Sequence, residues 1–111
     1  MPRIGRRFSA LMTCVRLLEK ELKGKIKGVE VIQNFAECPK DDQSIRPFVY
    51  VEYNERYFKE TNVDNPNHPD NLIKDAAKHS GLTKLFKYAG EEFVEGRRDI
   101  GFELKESIKL A

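Results

Sequence analysis

The stretch SIRPFVYVEYNERYFKETNV, Ser44–Val63, decides how the chain is read. From Phe48 to Tyr53 the residues alternate along an extended backbone. Val49, Val51 and Tyr53 point one way, and Phe48, Tyr50 and Glu52 the other. β-Branched and aromatic side chains favour that conformation. Asn54, Glu55 and Arg56 read as a short hairpin connection, with Asn54 tolerating a left-handed backbone. Tyr57, Lys59, Thr61 and Val63, alternating with Phe58, Glu60 and Asn62, read as the returning strand. The first strand is apolar on both faces near its start. A sheet with one wet face has cleaner alternation, so the second face is expected to be partly covered, by a helix of the chain or by a neighbour. Tyr50, Tyr53, Tyr57 and Phe58 also have the chemistry of a stacking platform for RNA bases; cross-strand packing is the plainer use of the same rings.

Working outward, Phe8, Leu11, Val15, Leu18 and Leu22 recur at spacings of three and four, one stripe of an amphipathic helix. Ser9 is a candidate cap, Gly24 or Gly28 a candidate end, and lysines crowd the last turn, where the helix dipole favours them. In GVEVIQNFAEC, Val29, Val31 and Gln33 alternate with Glu30, Ile32 and Asn34 as a strand, and PKDDQS is a loop. DNPNHPDNLIKDAAKHSGL carries the signals of a second helix. Asn67 or His68 precedes Pro69 at the first turn, Leu72, Ile73, Ala76 and Ala77 form a narrow stripe, and Gly81 is the left-handed residue past the end, with Leu82 folding back toward Ala77. Beyond it, Phe93 and Val94 lie among acids, and Ile100, Phe102 and Leu104 alternate like a strand. The organisation expected is a domain over residues 1–82 and a C-terminal extension over 83–111, the extension laid over a partner's surface.

A chain of 111 residues is one domain. Charged residues make up 34% of it, yet the net charge is only +2, so distribution matters more than sum. Arg3, Arg6, Arg7 and Arg16, then Lys20, Lys23, Lys25 and Lys27, make the N-terminal part basic, and Arg97 and Arg98 lie near the other end. Basic ends on a near-neutral middle suit contact with a polyanion; a mixed solvated surface accounts for the same charges. Acids are absent before Glu19, so the start reads either as a mitochondrial targeting segment or as the basic end of an ordinary helix. No apolar run approaches the ~20 residues that span a bilayer, so the chain is not expected to cross a membrane. Cys14 and Cys38 have no metal or redox spacing and read as reduced thiols. His68 and His79 sit at opposite ends of one helix and read as a cap and a dipole partner. The pairs Asp41–Asp42 and Glu91–Glu92 read as solvated. Phosphate-loop, HExxH and GxSxG motifs are missing. Neither enzyme activity, nor a cofactor, a metal or a small-molecule substrate is expected.

The order of RLLEKEL on a helix, GVEVIQNF on a strand, RPFVYVEYNERYFKETNV and DNLIKDAAKHSGL resembles the mitochondrial thioredoxin-like family that unites certain ribosomal proteins of both subunits with an accessory subunit of respiratory complex I. The match runs from about Val15 to Leu82, with Pro47, Val49, Val51, Tyr53, Glu60 and Val63 at the hairpin. Family members usually open with a strand, for which only MPRIGRR is available here, and the long C-terminal part suits the ribosomal members. The resemblance implies a thioredoxin-like α/β fold, with a small mixed sheet and a β-hairpin packed against two or more helices. It also implies a structural role without thioredoxin chemistry, in the mitochondrial matrix. The function expected is a non-catalytic subunit of the mitochondrial ribosome that holds rRNA and neighbouring ribosomal proteins. Arg3, Arg6, Arg7, Arg97 and Arg98 would meet rRNA phosphates, and Phe48, Tyr50, Phe93, Ile100 and Phe102 would meet protein neighbours. The alternatives are an accessory subunit of complex I with protein partners only, and a small stand-alone protein-binding domain.

Overall fold

A computed structural model describes residues 2–34, 44–45, 48–105 and 108–109, with side chains for 9–33 and 48–105. Helix α1 (Pro2–Lys23) opens on a proline, whose missing N–H is no loss in a first turn. The helix therefore runs through Ser9, the expected cap. Lys20 and Lys23 lie in its last turn. The chain turns at Gly28, whose φ of +74° favours glycine, and enters β1 (Glu30–Asn34). A short strand β2 (Ser44–Ile45) pairs antiparallel with β6 (Ile108–Lys109) as a separate two-stranded sheet.

The main sheet has four strands in the order β1, β3 (Phe48–Asn54), β5 (Arg97–Leu104), β4 (Phe86–Val94). All of its pairings are antiparallel, where a mixed sheet was expected. A parallel neighbour requires a strand, a crossover and a second strand, and among the described residues no strand precedes α1.

The expected hairpin at Asn54–Arg56 does not form. Asn54 ends β3 and caps a short helix, α2 (Glu55–Glu60), its side chain accepting from the Arg56 N–H at 2.9 Å. Glu55 pairs with Lys59 and Arg56 with Glu60, each four residues on, a spacing that supports a helix and has no meaning in a strand. These local ionic and capping terms outweigh the period-two pattern of Tyr57, Lys59 and Thr61. Among the described residues a tight hairpin joins β4 and β5, closed by Glu95 and Gly96, both with positive φ.

Residues 83–111, expected as an extension, supply β4 and β5, half of the main sheet, with β5 an interior strand. Ile100 and Phe102 are buried in the core. The second helix, α3 (Pro69–His79), has the expected signals: His68 caps it, Pro69 opens it, and Gly81 is left-handed with φ +82°. A single turn, α4 (Leu82–Leu85), follows and buries Leu82.

The core lies between one face of the sheet and the helices. Leu11, Val15, Leu18 and Leu22 of α1, with Ile73, Ala76 and Ala77 of α3, cover Val49, Val51, Tyr53, Ile100 and Phe102. Full burial of each large side chain contributes roughly 1.5–3 kcal/mol. At one end the core is polar. Tyr53 Oη donates to Asp70 Oδ1, and Arg98 Nη2 donates to Asp70 Oδ2 at 2.7 Å. The Phe58 and Phe93 rings each lie 4.6 Å from the Arg98 guanidinium carbon. His68 Nδ1 accepts the Asp70 N–H at 3.1 Å, which leaves the proton on Nε2 to reach the Phe58 carbonyl, also at 3.1 Å. This cluster ties α2, α3, β3 and β5 together.

Candidate interaction surface

Strand alternation divides the sheet into two chemical faces. Residues opposite one another in an antiparallel pair share a face. Tyr50 therefore stands beside Ile32 and Gly101, Glu52 beside Glu30 and Asp99, and Phe48 beside Glu103. On β4, Lys87, Gly90, Glu92 and Val94 continue this outer face. The helices that bury the core lie against the other side, and Ile32, Tyr50 and Val94 stay exposed.

Phe48 and Tyr50 stack with ring centroids 6.1 Å apart and planes within 7°. The Tyr50 ring runs over the Gly101 backbone, since a Cβ built there would lie 3.5 Å from it. Gly101 faces Gly90 across the β4–β5 pair, where the register shifts. Tyr50 covers Gly101, while no atom lies near the Cβ position of Gly90, so that place on the sheet surface stays open. The result is a groove of about 360 Å³, lined by Phe48, Tyr50, Glu91, Glu92, Asp99 and Glu103 among others. Burial pushes the Glu52 carboxyl above the usual range and the neighbouring Asp99 adds to the shift, against the pull of Arg97. Among the described residues no cluster of three or more histidine, cysteine or acidic side chains is placed to hold a metal ion. Cys14 is half-buried on α1, and burial pushes its thiol upward, away from the reactive thiolate.

The expected contact residues are scattered. Phe48 and Tyr50 lie together on the open face. Phe93 is 48% exposed, but its ring packs on Phe58 and Arg98 at the rim of the core. Ile100 and Phe102 face the helices, so they fill this chain's own interior rather than a partner's surface. Arg98 is turned inward and committed to Asp70, a position from which it reaches no external phosphate. Arg97 lies on the open face with Nε 3.2 Å from Glu52 Oε2. The side chains of Arg3, Arg6 and Arg7 lie outside the described residues.

Sequence reasoning missed the carboxylates of this face and its glycine floor. The signal was present in RRDIGFEL, where Arg97, Asp99, Gly101 and Glu103 occupy every second position and Arg98, Ile100 and Phe102 the others. Compared with protein-family models, with characterised proteins and with solved structures, the chain matches none.

Proposed function

We propose that this chain is a non-catalytic subunit of a larger assembly, held there by a neighbouring protein lying on the open face of its sheet. The observation that carries this is the stacked Phe48–Tyr50 pair beside a groove on a face that no helix covers among the described residues. An antiparallel sheet keeps one face in water without difficulty when that face is polar. Aromatic rings set beside a concavity are instead the composition of a protein interface.

The resemblance described above makes that assembly a mitochondrial one and the fold thioredoxin-like. It is supported by the succession of α1, β1, β3 and α3 and by the missing CxxC, although α2 stands where the family's returning hairpin strand is expected. In the ribosomal version the rRNA contacts fall to Arg3, Arg6 and Arg7, because Arg97 and Arg98 are engaged with Glu52 and Asp70. The acidic lining of the groove favours the second version, an accessory subunit of respiratory complex I held by protein alone.

Sedimentation of native mitochondrial extract, with and without RNase, tests both. The proposal expects the chain in a large particle from which Tyr50→Asp releases it. Release by RNase, with Tyr50→Asp sedimenting as the unaltered chain does, would replace protein docking with RNA docking. Sedimentation as a free monomer would overturn the subunit reading.

A further inference from the structure

The main sheet ends on one side at β4, and among the described residues no strand pairs with the outward side of β4. All of β4 but Phe86 and Gly90 is exposed, and Tyr88, Phe93 and Val94 leave large apolar side chains in water. A free edge is a template for another strand. Which strand fits is written in its own pattern.

The two-residue turn at Glu95 and Gly96, both with positive φ, makes Val94 and Arg97 exchange backbone hydrogen bonds. Alternation from there points the backbone groups of Phe93 and Glu91 away from β5. At the other end, the Lys105 N–H donates to the Leu85 carbonyl at 2.9 Å, so those of Phe86 and Tyr88 point away in the same manner. Ala89 is the extra residue at the register shift. The outward-bonding positions are therefore 86, 88, 91 and 93, a set symmetric about the Ala89–Gly90 bond. Their side chains share the helix-covered side, and Lys87 and Glu92 share the open side.

A second copy of β4, related by a two-fold axis through that bond and perpendicular to the sheet, meets the first in matching phase. Tyr88 falls opposite Glu91 of the second copy, and Lys87 opposite its Glu92. Without the extra residue, Lys87 and Glu92 would lie on different faces and could not meet. Charges on an edge strand normally keep strands apart; here the opposed charges have opposite signs. Lys87 already bridges to Glu103 at 3.0 Å, and an ammonium has donors to spare. β1, the other edge, carries a single charge, Glu30, and has no such pairing with itself. The Phe86 N–H donates to the Leu82 carbonyl, which ends the ladder there and keeps the interface short and reversible.

We propose that the chain forms a two-fold dimer in which β4 pairs antiparallel with β4 of a second copy, Lys87 of each facing Glu92 of the other. Two four-stranded sheets then become one. The open faces of both copies lie on the same side, so the Phe48–Tyr50 surface stays accessible and the inference stands apart from the reading of that face.

The test is sedimentation equilibrium of the purified full chain over a concentration series, with amide hydrogen exchange on the same samples. The expected result is a monomer–dimer equilibrium in which the Glu91 and Phe93 amides exchange more slowly as concentration rises. Lys87→Glu and Glu92→Lys each set like charges opposite one another in their own dimers and should weaken them about tenfold. Both positions are exposed, so both variants should keep the circular dichroism of the unaltered chain. An equimolar mixture of the two should dimerise as the unaltered chain does, because each supplies the charge that the other has lost. A monomer at every concentration up to about millimolar would overturn the proposal. So would a dimer that leaves Glu91 and Phe93 unprotected, or a mixture no stronger than its components.

Discussion

Arg98 and Asp99 are adjacent in the chain and opposite in circumstance. Arg98 points into the helix-covered side of the sheet, where Asp70 takes its charge and the Phe58 and Phe93 rings close over it. Asp99 points to the other side, among carboxylates, with one oxygen unpartnered. The same strand thus contributes one ion to stability and leaves the other half-buried beside Glu52. Charge in this sheet has no fixed meaning; what matters is whether a helix seals the face it points to.

The largest effect is expected on the inner side. Asp70→Ala or Arg98→Ala strands an uncompensated charge in the core and should cost about 3–5 kcal/mol. That is a large part of the roughly 5–15 kcal/mol by which a domain is usually stable, so denaturant unfolding should move to a far lower midpoint, or the variant should fail to fold. The double variant Asp70→Asn/Arg98→Met should recover a large share of the loss, because neither orphan remains. If Arg98→Ala unfolded like the unaltered chain, the arginine would be free for an external partner and the two sides would be alike.

His68 gives the next largest effect. Its ring caps α3 and reaches back to α2. His68→Ala removes the cap and leaves the Phe58 carbonyl without its donor, for about 2 kcal/mol together. His68→Asn, which restores the cap alone, should recover roughly half of this, and thermal unfolding of the pair measures the split.

These inner residues also mark what was legible beforehand. The α1 stripe, the inward set Val49, Val51 and Tyr53, and the start and stop of α3 were legible because each follows from local spacing or a local cap. Residues 55–60 were misread, since a period of two and a spacing of four coexist in ERYFKE, and the capping Asn54 serves either a turn or a helix. The placement of β5 between β3 and β4 was not legible. Pairing Val51 with Ile100 is a long-range choice made by the whole core, and it left Ile100 and Phe102 looking like the apolar side of a tail. Phe48 and Tyr50 were found as a pair, but the acids and glycines that make their face a groove come from those misjudged strands.

A smaller effect separates the two helices of the sealed side. Glu21 on α1 meets His79 on α3 at 3.0 Å and Lys25 at 3.1 Å. Burial alone would push the Glu21 carboxyl up, but the hydrogen bonds and charges of His79 and Lys25 hold it below the usual range. A carboxyl depressed in the folded state adds stability above its unfolded value, and the gain disappears as pH falls through the folded one. Because His79 is largely exposed, Glu21→Gln should cost only about 0.5 kcal/mol at neutral pH. That difference should vanish in strongly acidic buffer, which unfolding curves at a series of pH values would record.

The smallest effect concerns the residue next to Arg98. Glu52 is raised by burial and by Asp99, so at neutral pH the folded chain carries two carboxylates that disfavour one another. The sign is opposite to that of Glu21: stability falls as pH rises from the ordinary glutamate range through the raised value. Asp99→Asn removes the repulsion. It should leave stability unchanged or raise it by about 0.5 kcal/mol at pH 7, with no effect in acid where Glu52 is protonated in both states. Unfolding free energies of Asp99→Asn and Arg98→Ala, measured side by side, should then differ by several kcal/mol, with only Arg98→Ala destabilised. A destabilised Asp99→Asn would mean that Asp99 is a structural acceptor whose donor lies within the chain, and the groove would lose the group that distinguishes it from an ordinary wet sheet face.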